Sequence, residues 1–219
     1  MVLGNPQTNV LKTRELKVKV QNKARYSRSS YSRDIRAAVR GFWNSELDFF
    51  TFFESFSISI ERGLTAAWYE GAAQCGIEPD EMTIDEMKLL RFKISEQMNY
   101  LNRFAEVIEA GSKENGGKLT PLMKRAQLWV NRYNDVRNEA RVSACKDSKL
   151  KWILGLTEQH CRTCFALNGK VKRASFWKIL GVRPQNAPNH LLECEGWLCD
   201  CELSPTDEPV TRGAMPSLP

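Results

Sequence analysis

Apolar residues recur at three- and four-residue steps through the first two thirds of the chain, a pattern typical of amphipathic helices. The pattern predicts helices over 32–73, 84–110 and 121–143. Thr83 and Glu86 have the spacing of a capping box, so the second helix is expected to begin there. Consecutive helices with short links predict an antiparallel helical bundle.

The pattern changes after residue 147. The segment "KWILGL" (151–156) is typical of a strand, "NGKV" (168–171) carries an Asn-Gly hairpin-turn signal, and "SFWKIL" (175–180) predicts a short helix. The fold class is therefore expected to be mainly α, with a bundle followed by a small α+β module and with extended arms at both ends. The predicted parts are a basic extended arm (1–31), the helical bundle (32–147), a cysteine-rich module (148–204) and an extended proline-rich tail (205–219).

Five phenylalanines crowd into the segment "FFTFFESF", residues 49–56. On a helix, Phe49, Phe53 and Phe56 share one side, whereas Phe50 and Phe52 diverge from it. A helix that is apolar on all sides must be buried on all sides. We therefore expect another chain to bury Phe50 and Phe52. The alternative is that this helix forms the centre of the bundle.

Positive charge is concentrated at the N-terminus. Residues 1–40 hold ten Lys/Arg against two acidic residues, a net +8, so that the remaining chain sums to −2 within the overall +6. Such an arm favours binding to a polyanion or to an acidic protein surface, and the alternative is a solvated, disordered tail. The candidate binding residues are Lys12, Arg14, Lys17, Lys19, Lys23, Arg25, Arg28 and Arg33.

Five of the seven cysteines gather in the last third of the chain, in a pattern that indicates a metal site. They are Cys161, Cys164, Cys194, Cys199 and Cys201. A Cys-x-x-Cys turn supplies two zinc ligands from one loop, and a tetrahedral structural site takes four. We expect Cys161, Cys164, Cys194 and Cys199 to bind zinc, with Cys201 as the substitute. His160 and His190 are weaker candidates.

A closed four-ligand zinc site would be structural, and it would staple a segment that is poor in apolar residues. The alternatives are free buried cysteines, or disulfides in an oxidising compartment. Cys75 and Cys145 lie far from the cluster in helical sequence and are expected to be small core residues.

Several function classes are disfavoured by the sequence. It contains no P-loop, no Gly-x-Ser-x-Gly and no His-Glu-x-x-His, so an enzyme is not expected. No apolar run approaches the roughly 20 residues needed to span a bilayer, so no membrane association is expected. No apolar signal core follows the basic N-terminal residues, which favours synthesis without secretion.

The cysteine-rich region contains a spaced pattern of eight residues, which are Trp152, Cys161, Cys164, Gly169, Val171, Pro184, Cys199 and Cys201. This pattern resembles the C-terminal module of phage minor head proteins. These are also called head morphogenesis proteins, the family that includes phage Mu protein F. The resemblance covers about residues 120–210, and Cys194 stands in the region where many members carry a His-Pro pair.

The resemblance implies a non-enzymatic structural protein of a bacteriophage head. It implies a role in capsid assembly near the portal, with the portal or major capsid protein as partners, contact with packaged viral DNA, and an oligomeric assembly. Such a protein is made in the host cytoplasm and ends in the virion.

A zinc-dependent nucleic-acid-binding protein is the alternative, because residues 165–193 hold five Lys/Arg against one Glu, a net +4. A toxin or nuclease would require a catalytic base that we do not find in the sequence.

Overall fold

The computed structural model describes residues 26–145, 147–156, 159–197 and 199–219. Most of the predicted polyanion-binding residues lie outside these ranges, so those predictions stay open. They are Lys12, Arg14, Lys17, Lys19, Lys23 and Arg25.

The described chain is mainly helical, with one small antiparallel sheet, which confirms the predicted fold class at this level. The helical part comprises α1 (Arg28–Trp43), α2 (Phe49–Ala73), a 3₁₀ turn (Pro79–Glu81), α3 (Ile84–Met98), α4 (Leu101–Ala110) and α5 (Leu119–Ala144). The C-terminal module comprises β1 (Lys149–Ile153), α6 (Arg162–Leu167), β2 (Val171–Arg173), α7 (Ala174–Leu180) and β3 (Glu202–Pro205). No helix among the described residues is both long and apolar enough to cross a membrane.

The core of the helical part lies mainly between α2 and α5, with α1 packed against both. At its centre, the Phe56 and Phe104 rings lie 5.4 and 4.7 Å from the Trp129 ring, measured between centroids. The apolar stripe of α5 is buried along its length, from Leu122 to Ala140, as its periodicity predicts.

The predicted helix over 32–73 is two helices. The chain leaves α1 at Asn44 and re-enters a helix after Asp48, whose carboxylate accepts a hydrogen bond from the Thr51 N–H at 2.7 Å. That N-cap starts α2 independently of the apolar periodicity on either side. The predicted helix over 84–110 likewise divides after Met98, whereas its capping box at Thr83 and Glu86 is confirmed.

The predicted arm over 1–31 is wrong for residues 26–31. The Ser27 side chain accepts a hydrogen bond from the Ser30 N–H and caps α1, and Tyr26 and Tyr31 are buried. The Tyr26 hydroxyl donates to Asp34 at 2.6 Å. Two tyrosines in a serine-rich segment give too weak an apolar signal to predict this packing.

Two predicted arm residues fall within or beside α1 and already contact carboxylates. The Arg28 guanidinium lies 4.0 Å from a carboxylate oxygen of Asp200, and Arg33 lies 3.0 Å from Asp34. Both pairs are solvent-accessible, so they contribute little to stability. Polyanion binding by Arg28 or Arg33 would compete with these contacts.

The prediction that another chain buries Phe52 is wrong. Phe52 is 0% exposed, and its ring stacks on Phe42 with 4.6 Å between centroids. The buried face of α2 follows Phe52, Phe56 and Ile60 at steps of four, so Phe49 and Phe53 lie at its margin. Phe50 points away and is 82% exposed, which leaves it available for an interface.

A close approach of α2 to α5 depends on a glycine. A Cβ at Gly71 would overlap the carbonyl oxygen of Arg137 and would lie 2.9 Å from the Cβ of Ala140. We expect Gly71→Ala to lower the free energy of unfolding by about 1–3 kcal/mol in urea titrations, because overpacking outweighs the helix propensity of alanine. Ala73→Ser, at the exposed end of α2, is the matched control, and a stabilised Gly71→Ala variant would contradict this packing.

The C-terminal module has a sheet with strand order β2–β1–β3, in which β1 pairs antiparallel with both neighbours. Trp152 and Trp177 are fully buried beneath it, and the Trp177 indole donates to the Leu150 carbonyl at 3.1 Å. Leu167 and Leu203 complete this core. The module therefore has an apolar core as well as the cysteines that are predicted to staple it.

The segment after β3 is extended, as predicted, but it is not separate from the module. The Thr211 N–H donates to the Val171 carbonyl, and the Val171 N–H donates to the Thr211 hydroxyl, each at 2.9 Å. Met215 and Leu218 pack against the module core. The predicted boundary at residue 204 is therefore not a structural boundary.

Candidate metal centre

Three segments of the module bring the five clustered cysteines to one small cavity of about 110 Å³. Cys161 and Cys164 come from the start of α6, Cys194 from the loop after α7, and Cys199 and Cys201 from the approach to β3. The sulfur atoms of Cys161, Cys164 and Cys194 all lie within 4.8 Å of one another, and so do those of Cys164, Cys199 and Cys201. Cys164 belongs to both sets and is the centre of the cluster.

The Cys-x-x-Cys turn is built by a helix cap. Cys161 is the N-cap of α6, and its sulfur accepts a hydrogen bond from the Cys164 N–H at 3.3 Å. After one and a half turns the chain reverses at Asn168 and Gly169, where glycine adopts φ of +77°. The Asn-Gly turn signal is therefore confirmed, but the turn joins α6 to β2 and not two successive strands.

The loop that carries Cys194 is fastened to α6 by its neighbour Glu193. The Glu193 carboxylate accepts from the Arg162 N–H at 2.6 Å, and the Glu193 N–H donates to the Thr163 hydroxyl at 3.1 Å. Gly196, with φ of +78°, lies against the Asn186 backbone where a Cβ would approach to 2.8 Å. These contacts hold Cys194 beside the α6 cysteines.

Cys199 and Cys201 reach the same cavity because only one residue separates them on an extended segment. The backbone of Asp200, between them, lies against Gly155, where a Cβ would overlap it. The Gly155 N–H also donates to the Cys201 sulfur and favours its thiolate form. The end of β1 therefore positions this pair.

The thiols share protons within the cluster. Hydrogen bonds with Cys194, then with Cys199 and Cys201, raise the pKa of Cys164. The hydrogen bond from Cys164 lowers the pKa of Cys201 to about 4 and, as the largest cause, also lowers the pKa of Cys199. Sulfur donors in this arrangement suit a soft or borderline cation and not magnesium or calcium. The five cysteines are thus positioned to hold a metal ion.

The two histidines differ in their relation to the cluster. The Nδ1 atom of His160 lies 3.9 Å from the Cys201 sulfur, and His160 lines the cavity. His190 is exposed and lies 3.7 Å from Glu195, away from the sulfurs that line the cavity. Of the weaker ligand candidates, only His160 is placed to contribute.

Cys145 is buried in a core and Cys75 packs against it, as predicted, but the two are also joined as a disulfide, which the sequence does not predict. Their Cα atoms are 5.3 Å apart although 70 residues separate them in sequence. The bond ties the end of α2 to the end of α5, beside the start of the module. No sequence motif indicates this pairing, because it depends on how the two long helices pack.

Buried charges on α5 fasten the module to the bundle. Arg183, from the loop after α7, lies 2.5 Å from Glu139 and 3.7 Å from Asp135, and Lys93 on α3 lies within 4.0 Å of both carboxylates. All of these groups except Lys93 belong to residues that are fully buried or nearly so.

A second buried contact lies on the next turn of α5. The Asn138 side chain accepts from the Leu203 N–H at 3.2 Å and donates to the Pro184 carbonyl at 3.4 Å. Arg141 donates to Glu202 at 3.2 Å. The module therefore packs against α5 through hydrogen bonds and ion pairs as well as apolar contacts.

Comparisons with known protein families, with curated proteins and with solved structures find no match to this chain.

Proposed function

We propose that this chain is a structural protein of a bacteriophage head that acts in capsid assembly near the portal. The observation that carries the proposal is the motif that resembles phage minor head proteins, together with where its residues lie. Trp152 is buried in the module core, Gly169 forms the turn after α6, and the four motif cysteines line one cavity. In this proposal the partners are the portal or major capsid protein, and the chain also contacts packaged DNA.

The metal in this proposal is zinc, held by four of the five clustered sulfurs. Zinc favours four-coordinate thiolate sites, and a fully occupied set of protein ligands makes such a site structural. Cys164 belongs to both close sulfur sets, so it is expected to be a ligand whichever other cysteines complete the site. The fifth cysteine and His160 would lie beside the four ligands without binding the zinc.

The positive N-terminal segment is the proposed contact with DNA or with an acidic assembly partner. The net +8 of residues 1–40 supports this role, since clustered Lys and Arg attract polyanions through a salt-dependent interaction. The remaining chain is slightly acidic, so the attraction is expected to depend on this segment.

Phe50 is the proposed subunit contact. Its ring is 82% exposed and lies 5.7 Å from that of Phe49, at the start of α2. An exposed phenylalanine forgoes about 1.5–3 kcal/mol of burial, which a neighbouring subunit would recover.

The test uses phage particles assembled with wild-type or variant chain. We expect the wild-type chain to copurify with particles. Phe50→Ser should fold with a free energy of unfolding within about 0.5 kcal/mol of wild type yet be depleted from particles, because Phe50 supports no core contact. Ile179→Ser, which removes an equally exposed apolar side chain from α7, is the matched control and should be incorporated normally.

Two outcomes of this experiment contradict different statements. Absence of the wild-type chain from particles and from complexes with portal or capsid proteins would overturn the proposed function. Normal incorporation of Phe50→Ser would overturn only its interface role.

The alternative, a zinc-dependent nucleic-acid-binding protein, depends on the basic residues of the module. Three of these five residues already serve internal contacts. Lys172 donates to the Thr211 carbonyl, Arg173 donates to the Asp147 carbonyl, and Arg183 pairs with Glu139. This favours head assembly over DNA recognition by the module.

A further inference from the structure

A second cavity, of about 500 Å³, lies between the bundle and the C-terminal module. Its size is within the range of small-molecule binding sites. Helices α3 and α5 form two walls, and the loop after α7 forms the third. The walls combine aromatic and charged side chains, chiefly Lys93, Tyr100, Arg125, Trp129, Arg132 and Trp197.

Most charged groups that line this cavity neutralise one another. Lys93 lies 3.8 Å from Glu96, and Arg132 lies 3.4 Å from Asp135. Arg125 has no carboxylate within ion-pair distance among the described residues, and its guanidinium lies 5.3 Å from the Phe104 ring centroid. Arg125 therefore carries the excess positive charge of the cavity wall.

Trp129 supplies an aromatic side chain to the same wall. Its side chain lines the cavity and is only 5% exposed. Its indole nitrogen is itself buried, so Trp129 contributes ring surface and not a hydrogen-bond donor to the cavity. Arg125 and Trp129 are four residues apart on α5 and therefore lie on the same face.

Trp197, which belongs to the module, forms an aromatic wall of this cavity. Arg132 lies 5.1 Å from its ring centroid and donates to the Ala187 carbonyl at 2.8 Å. Trp197 also lines the cysteine cavity, between Cys194 and Cys199 in sequence. The position of the Trp197 ring therefore depends on the geometry of the cysteine cluster.

We propose that the cavity binds an aromatic carboxylate. An arginine side chain only donates hydrogen bonds, so the unpaired Arg125 favours an anionic ligand that supplies acceptors. The lining holds three cations and two carboxylates, an excess of a single positive charge, which matches a monoanion and not a phosphate dianion. The aromatic ring of the ligand contacts Tyr100 and Trp197. This inference does not depend on a role in head assembly.

The test measures binding of N-acetylphenylalanine to the full, metal-loaded chain through the indole N–H signals of a nitrogen-15-labelled sample. We expect the signals of Trp129 and Trp197 to shift at millimolar probe concentrations. The neutral amide of the same probe and plain acetate should each bind at least about tenfold more weakly, since one lacks the charge and the other the ring.

The variant that decides the question is Arg125→Gln, with Lys124→Gln as matched control. Lys124 is exposed on α5 and does not line the cavity. We expect Arg125→Gln to raise the dissociation constant about tenfold or more and Lys124→Gln to leave it unchanged. The proposal is overturned if the two indole signals stay in place, if the neutral amide binds equally well, or if Arg125→Gln binds like wild type.

A longer probe identifies the source of the ligand. If acetyl-Gly-Gly-Phe binds as tightly as N-acetylphenylalanine, the cavity accepts the C-terminal residue of a peptide chain. If only the shorter probe binds, the natural ligand is a free aromatic acid. Both results support the proposed chemistry, and failure of both probes contradicts it.

Discussion

Replacing Cys164 by serine is expected to unfold the C-terminal module and to leave α1 to α4 folded. Cys164 is buried, and it is the sulfur common to both close sets in the cluster. Structural zinc binding contributes about 10–16 kcal/mol to the folding of small zinc domains, far more than a module of this size gains from its apolar core alone. The helical part has its own buried stripes, and the described residues that line the cluster cavity all belong to the module.

Region-resolved hydrogen exchange measures this effect directly. Amides of β1, β2 and β3 should lose protection in Cys164→Ser, whereas those of α2 and α4 should exchange as in wild type. A metal chelator added to wild type should give the same pattern. Elemental analysis of the wild-type chain should find about one zinc per chain.

Serine variants at each of the five cluster cysteines identify the ligands. Because a tetrahedral site takes four ligands, we expect four variants to lose the metal and one to retain it. The variant that retains the metal is also the internal control for the effect of a serine substitution itself. A metal-free wild-type chain with a folded module and freely titratable thiols would contradict the metal site.

Replacing Arg183 by methionine is expected to lower the free energy of unfolding by about 1.5–3 kcal/mol, because Glu139 loses a charge-assisted hydrogen bond. The change leaves two buried carboxylates, Asp135 and Glu139, with Lys93 and Arg132 as the cations still near them. Methionine fills a similar volume, so the loss reports mainly the missing ion pair and not a cavity. The arginine comes from the module and the carboxylates from α5, so the module should also detach more easily from the bundle.

Urea unfolding of Arg183→Met is compared with that of Lys178→Met, an exposed basic position on α7. The control should change stability by no more than about 0.5 kcal/mol. A double-mutant cycle with Glu139→Gln isolates the pairwise coupling, because neutralising Glu139 removes part of the charge that Arg183→Met leaves unpaired. A small effect of Arg183→Met, similar to that of the control, would show that the network does not fasten the module.

Regular periodicity made α5 and the start of α3 predictable. The apolar stripe of α5 from Leu122 to Ala140 repeats at the helical period. The capping box at Thr83 and Glu86 marks the start of α3. The break before Asp48 was missed because apolar residues continue across it. The faces of α2 were assigned wrongly because five phenylalanines fit more than one side of a helix, and only tertiary packing selects the side that includes Phe52.

The cysteine cluster was predictable because Cys-x-x-Cys and Cys-x-Cys are local patterns with a simple chemical meaning. The Cys75–Cys145 bond was not, since it joins residues 70 positions apart through the packing of α2 and α5. The cavity with Arg125 and Trp129 was also missed. On α5 these residues have ordinary helical spacing, and only the docked module encloses the cavity that they line.

The Cys75–Cys145 disulfide requires oxidation, whereas the cluster cysteines must stay reduced in order to bind a metal. Formation of the Cys75–Cys145 bond withdraws two electrons from the chain, and an oxidant able to do this can also couple cluster sulfurs that lie within 4.8 Å of one another. Thiolates bound to a metal are shielded from that coupling. If the cluster binds a metal as proposed, loading before oxidation would protect it, whereas a chain oxidised first would be open to cross-links between cysteines inside the module.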